Sequence, residues 1–231
     1  MAGAGPRGHR RGPAAPGRRP VSAVADFVHV VEPARRPQAP TLLLLHGTGA
    51  DEHDLLPLGR TLAPGAALLS PRGRVDENGM NRWFRRLREG VFDVGDVIAR
   101  AAELADWVPA ALDHHGLGAP VVAVGFSNGA NIAAALMLLH PDVLDGAVLL
   151  GAGYPLQGRD PDRVDLAGRA AFLGAGAADP ISTPDQARLL ADHLAALGAR
   201  VELLEHPGGH SVPPRVVEGA RAWFEDRYGP H

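Results

Sequence analysis

The hydrophobic pattern of the chain alternates short continuous apolar runs with longer segments of helical period. Runs at 41–45 (TLLLL), 66–70 (AALLS), 121–124 (VVAV), 145–150 (DGAVLL), 169–173 (RAAFL) and 201–205 (VELLE) are bounded by Gly, Pro or polar residues. The runs at 41–45 and 145–150 have the signature of strands buried on both faces of a parallel sheet, and the others read as further strands. Between them, helical spacing is found over 51–62, where Leu55, Leu58 and Leu62 share a face, over 97–114 with a weak interruption at Pro109, and over the Ala-rich stretch that begins at 128. It returns over 184–197, with Pro in the first turn and Gly198 past the end, and over 214–228. A weaker alternation at 26–31 predicts an edge strand. Strands alternating with helices at this rhythm predict one α/β domain over 21–231, a mostly parallel central sheet with helices on both faces.

Three stretches fall outside the pattern. Residues 1–20 (MAGAGPRGHRRGPAAPGRRP) have no apolar period and too little hydrophobic surface to fold, which predicts a disordered Arg/Pro/Gly-rich tail or a misassigned start. Residues 71–95 read as a long irregular segment with Met80, Trp83 and Phe84 grouped in it. Such segments are often binding loops, so these three side chains either wall a substrate pocket or pin the loop to the body. The 18 residues of 151–168 are too few for a separate lid domain, which predicts a site open to solvent.

Composition narrows the function. With 45% hydrophobic and 21% charged residues among 231, the chain is an ordinary globular one, and its apolar runs are too short to span a bilayer. No cysteine is present, which excludes a thiolate nucleophile, a disulfide framework and a Cys-based metal site. All 23 basic residues are arginine, so Schiff-base and Ser-Lys chemistry are excluded as well. Five of those arginines lie in 1–20; the remainder sets 18 arginines against 26 acids, a net of −8, which suits neither nucleic acid nor another polyanion. Proline and arginine occupy the place where an export signal needs its apolar core, so a cytoplasmic location is expected. No H-E-x-x-H or comparable ligand spacing is present, and neither a metal nor a cofactor is expected.

The candidate chemistry lies where strands end. At 125–129 the run GFSNG joins an apolar strand to an Ala-rich helix, placing Ser127 on a sharp turn between two glycines. A G-x-S-x-G turn in this setting exposes a nucleophile, and the helix that follows points free N–H groups back at it. After the strand at 41–45 comes His46-Gly47-Thr48-Gly49, a turn whose backbone N–H groups can approach an oxyanion. A serine hydroxyl needs a base, and the base needs an orienting acid. Asp179 follows the strand at 169–173, and His210 sits in a Gly-Gly turn directly after the last strand. The order Ser, Asp, His, with spacings of 52 and 31 residues, is that of α/β-hydrolases. Rival acids are Asp160, Asp162 and Asp165 in a polar loop and Asp185 in a helix's first turn. Ligands on such sheets bind beyond the carboxyl ends of the strands, where Ser127, Asp179 and His210 would share one rim.

Four stretches, LLLLHGTGADEHDLLPL, GFSNGANIAA, GAGAADPIS and GGHSV, together resemble the phospholipase/carboxylesterase group of α/β-hydrolases over about 25–226. The resemblance implies an α/β-hydrolase fold, Ser127 as nucleophile, Asp179 as acid and His210 as base. It also implies an oxyanion hole built from the backbone N–H groups of Thr48 and Asn128. Better-known thioesterase and lysophospholipase members carry glutamine after the serine and leucine after His-Gly, where this chain has Asn128 and Thr48. GFSNGAN and SPRGRVDENGMNRWFRR look more like a bacterial carboxylesterase branch associated with hydroquinone and aromatic degradation. The expectation is a cofactor-free serine carboxylesterase acting on a small-molecule ester, compatible with a homodimer. An acyl thioesterase or lysophospholipase is the alternative, and a non-catalytic binding module the remote one.

Overall fold

The computed structural model describes residues 27–88, 90–159, 161 and 163–229. The expected tail over 1–20, Asp160 and Asp162 lie outside the described residues. Elements follow in the order β1 (His29–Glu32), β2 (Thr41–Leu45), α1 (Leu56–Leu62), β3 (Ala67–Pro71), β4 (Val75–Glu77), β5 (Met80–Arg82), β6 (Arg86–Arg88) and β7 (Val91–Phe92). The second half adds α2 (Val94–His115), β8 (Val121–Phe126), α3 (Asn128–Leu139), β9 (Gly146–Leu150), β10 (Ala170–Gly176), α4 (Pro184–Ala196), β11 (Arg200–His206) and α5 (Pro214–Tyr228). Seven strands form one sheet in the order β1-β3-β2-β8-β9-β10-β11. Only β1, at the edge, runs antiparallel to its neighbour, while every other pairing is parallel.

The alternation of side chains along each strand divides the interior into two cores. Leu43, Leu45, Ala123, Leu149 and Leu173 face a core shared with α2, α3 and α4. Their neighbours Leu42, Leu44, Val124, Val148 and Phe172 face the other core, filled from α1 and α5 by Leu56, Leu62, Trp223 and Phe224. Burial on both faces explains why β2 and β8 read as unbroken apolar runs rather than alternating ones. Because β8, β10 and β11 are parallel, their carboxyl ends fall on one edge of the sheet, and the register pairs Gly176 with His206 there. Among the described residues no helix is long and apolar enough to cross a membrane.

Three expectations need correction. The segment 71–95 is not irregular: it holds two small hairpins, β4–β5 and β6–β7. The first turns at Asn78-Gly79, whose φ values of 57° and 82° are the paired left-handed conformations of a tight two-residue hairpin. The first helix is also shorter than 51–62, because Asp51 folds its carboxylate onto the His53 N–H at 2.9 Å and 52–55 form turns. The expected weak interruption at Pro109 is also absent: α2 runs through it and carries Val97, Ala101, Leu104 and Val108 into the core before it and Ala110 and Ala111 after it.

Candidate active site

Ser127 stands between β8 and α3 with φ 53° and ψ −115°, a conformation that costs a non-glycine residue about 1–3 kcal/mol and persists only where the surroundings over-determine it. The surroundings do so here. The Ser127 N–H donates to the Leu150 carbonyl at 2.8 Å, and the Asn131 N–H donates to the Ser127 carbonyl at 3.0 Å. Strand and helix pass so closely that a Cβ on Gly125 would lie 2.5 Å from the Gly129 carbonyl oxygen. One on Gly129 would lie 1.8 Å from that of Leu45, so both positions admit only glycine.

Three side chains meet at this rim. His210 Nε2 is 2.8 Å from Ser127 Oγ, and His210 Nδ1 is 2.7 Å from Asp179 Oδ2. The Asp179 side chain is 1% exposed, and its second oxygen accepts from the N–H groups of Ile181 at 2.8 Å and Ser182 at 3.0 Å. Those two donors fix the carboxylate plane, so Oδ2 is left for the imidazole. Ser182 is itself anchored by donating its hydroxyl to the Gly151 carbonyl at 2.7 Å. Such a chain can take a proton from the serine hydroxyl while holding the imidazole in one tautomer. Of the rival acids that are described, Asp165 closes a turn onto the Ala167 N–H and Asp185 pairs with Arg188.

Thr48, Ser127 and Asn128 line one cleft of about 310 Å³. Asn128 is the first residue of α3, so its N–H has no partner within the helix. The 151–168 connection supplies Gly153 and Gln157 to the wall, and Gln157 is held by the Phe92 N–H and the Gly90 carbonyl.

Met80, Trp83 and Phe84 are not among the residues that line this cleft, and of the two roles open to them as substrate contacts or as pins for the loop, the packing favours the second. Trp83 and Phe84 are 3% and 0% exposed and belong to the core. Their segment braces the two loops that do form the site. The Trp83 indole N–H donates to the His46 carbonyl at 2.9 Å, and the Trp83 backbone N–H donates to Asn128 Oδ1 at 2.7 Å. Asn81 adds its carbonyl to the Gly49 N–H, while its side-chain amide donates to the Ala50 carbonyl, both at 2.9 Å. Met80 packs beside Gly49. An aromatic pair in a loop is compatible with either role by composition, and only the packing separates them.

Two residues that the pattern did not single out matter here. Arg82, buried, donates through Nη1 to Thr48 Oγ1 at 2.9 Å and through Nε to the Phe84 carbonyl at 3.2 Å. Among 23 arginines nothing in the sequence separates it from the exposed ones. His46 is the second. Its Nε2 accepts from the Gly73 N–H at 2.9 Å, so Nδ1 carries the proton and donates to the Gly47 carbonyl at 2.7 Å, bracing the turn that presents Thr48. Burial holds the His46 pKa below the usual histidine value, outweighing the opposing Gly47 hydrogen bond.

A histidine kept neutral in the fold but free to protonate when unfolded, near pH 6.5, gives the unfolded chain more bound protons at low pH. Its contribution to stability is full above that pH and is lost as pH falls below it. Melting temperature should therefore drop between pH 7.5 and 5.5, and His46→Asn should flatten part of that drop whatever its own stability. Equal slopes for the two proteins would remove His46 from the account.

With this geometry in view, comparison with known proteins is specific. A family model described as phospholipase/carboxylesterase matches residues 27–226. The putative hydrolase MhqD of Bacillus subtilis (strain 168) is 46% identical over 186 residues, which is 80% of this chain and 92% of that protein. The crystal structure of the Bacillus cereus carboxylesterase superposes with a TM-score of 0.85 at 39% identity, covering 90% of this chain and 97% of that one. A carboxylesterase from Mesorhizobium loti gives 0.81 at 35% identity, covering 88% and 95%.

Proposed function

The chain belongs to the phospholipase/carboxylesterase family, with its α/β-hydrolase fold, and from that premise we propose that it is a serine carboxylesterase cleaving small to medium esters through an acyl-enzyme. The observation that carries this reading is the unbroken relay Ser127 Oγ, His210 Nε2, His210 Nδ1, Asp179 Oδ2, at 2.8 and 2.7 Å, on the rim of a cleft. In the first half-reaction Ser127 Oγ attacks the ester carbon and gives its proton to His210 Nε2. Negative charge that develops on the carbonyl oxygen is received by the backbone N–H groups of Thr48 and Asn128. The carbon–oxygen bond to the alcohol then breaks, and the alcohol leaves with the proton from His210. Water enters, His210 takes its proton, and attack on the acyl-enzyme releases the acid and restores Ser127. Every proton is handled by His210, and the only co-reactant is water.

Cleft size supports small acyl groups over long ones. A volume of about 310 Å³ is at the bottom of the ~300–1,000 Å³ range of ligand sites. Asn131, Thr183 and Gln186 make much of its wall polar, so only a few methylenes, each worth about 0.8 kcal/mol, can be buried. The expected kcat/KM for 4-nitrophenyl esters rises over the first few acyl carbons and falls by the long chains. Palmitoyl esters or thioesters turned over faster than butyrate would replace this reading with the thioesterase or lysophospholipase one.

A further inference from the structure

The charge that lines the cleft opposes the charge of the chain. Beyond residue 20 acids outnumber arginines by 26 to 18, yet the described lining residues include Arg82 and Arg86 and not one carboxylate. Hydrolysis of a neutral ester calls for no cation against the substrate, because the charge that develops falls on the oxygen facing the Thr48 and Asn128 amides; Arg82 braces Thr48, a tie that needs hydrogen bonding but not charge. Burial of a guanidinium is costly unless it is fully paired, and the Arg82 side chain is only 4% exposed.

Among the described residues its acidic partner is shared. Among the described residues Glu77 is the acid in reach of both arginines: its carboxylate takes Arg86 Nε at 3.2 Å and Arg86 Nη2 at 3.0 Å, and meets Arg82 Nη1 only at 3.5 Å. Among the described residues one carboxylate thus serves two guanidiniums, and the three groups together are positive. Arg82 spends Nε on Phe84 and Nη1 on Thr48 and Glu77, while its Nη2 makes no hydrogen bond to a described residue. Arg86 is more open, with 31% of its side chain exposed, and guanidinium is the group best matched to a carboxylate.

We propose that this cleft selects esters that carry a carboxylate of their own, received by Arg86 with the charge of Arg82 behind it. The proposal rests on the esterase reading and adds the substrate class. The chemistry is unchanged; the second carboxylate is bound and does not react. It can belong to the acyl group, as in a dicarboxylic acid monoester, or to the alcohol, as in an acylated hydroxy acid, and the test separates the two.

The acyl arm compares mono(4-nitrophenyl) adipate with 4-nitrophenyl 5-carbamoylpentanoate, which differ only in carboxylate against carboxamide. The alcohol arm compares 4-acetoxybenzoate with 4-acetoxybenzamide. In one arm the anionic ester should be favoured in kcat/KM by about tenfold or more, and the preference should shrink as salt rises. Arg86→Gln should bring the ratio of anionic to neutral ester close to one. Glu77→Gln, which unmasks the arginines, should raise that ratio, while the distant and exposed Arg200→Gln should leave it unchanged. Reading a ratio within each variant keeps the result independent of partial loss of folding. Ratios near one in both arms for an enzyme that hydrolyses the neutral esters would overturn the substrate class and leave the esterase reading intact. Failure to hydrolyse any of the four, with no labelling by a fluorophosphonate, would overturn both.

Discussion

Ser127→Ala is expected to fold as the wild type does and to lose at least about 10³-fold in turnover. The side chain makes one hydrogen bond, to His210 Nε2, while the strained turn is held by backbone groups that alanine retains. Alanine meets the same positive φ as serine, so the cost of that conformation is unchanged. What disappears is the nucleophile, and the activity left would be what bound amides and an oriented water supply. A fluorophosphonate should label the wild-type chain once, at Ser127, and should not label the variant. A label on another serine, or a variant with undiminished turnover, would sink the assignment.

The contrast between Ser127 and Trp83 shows what could be read before any coordinates. Ser127, Asp179 and His210 were legible because each follows its own strand, and in a parallel sheet that local fact sets a global position: the same edge. β2 and β8 were legible for a related reason, since burial on both faces leaves no polar residue to blur the run. Trp83 and Phe84 are ambiguous in the sequence because a loop has no period, and without one an aromatic side chain gives no sign of whether it faces solvent, ligand or core. The hairpin at 75–82 was missed although Asn78-Gly79 announces its turn; strands of three residues are too short to show alternation. Arg82 was invisible for a different reason. What marks it is its burial beside Thr48, a tertiary fact, and the arginine code letter is the same at every one of 23 places.

That separation also bears on how the site is held. Ser127 and His210 come from strand ends fixed by the sheet, whereas Thr48 depends on side-chain ties from His46, Asn81, Arg82 and Trp83. Changes in the 80–84 segment should therefore weaken stabilisation of the oxyanion before they disturb the relay between Ser127 and His210.

Asp179→Asn is the sharper test of the relay, because the structure fixes which way the new amide must face. Oδ1 of Asp179 accepts from two backbone N–H groups, of Ile181 and Ser182. An asparagine at this position keeps its oxygen toward those donors, since turning the amide over would set N–H against N–H at a buried site. The amide nitrogen then faces His210 Nδ1, which becomes an acceptor, and the imidazole proton moves to Nε2. There it points at Ser127 Oγ and can no longer receive the serine proton. Turnover should fall by about 10⁴-fold with the fold, the melting temperature and the cleft nearly unchanged. Labelling of Ser127 by a fluorophosphonate should slow in step, because that reaction needs the same proton transfer. Asp165→Asn, at an exposed turn, should by comparison cost little. If Asp165→Asn proved the crippling change and Asp179→Asn the mild one, the orienting acid would lie on the other loop and the relay drawn here would be wrong.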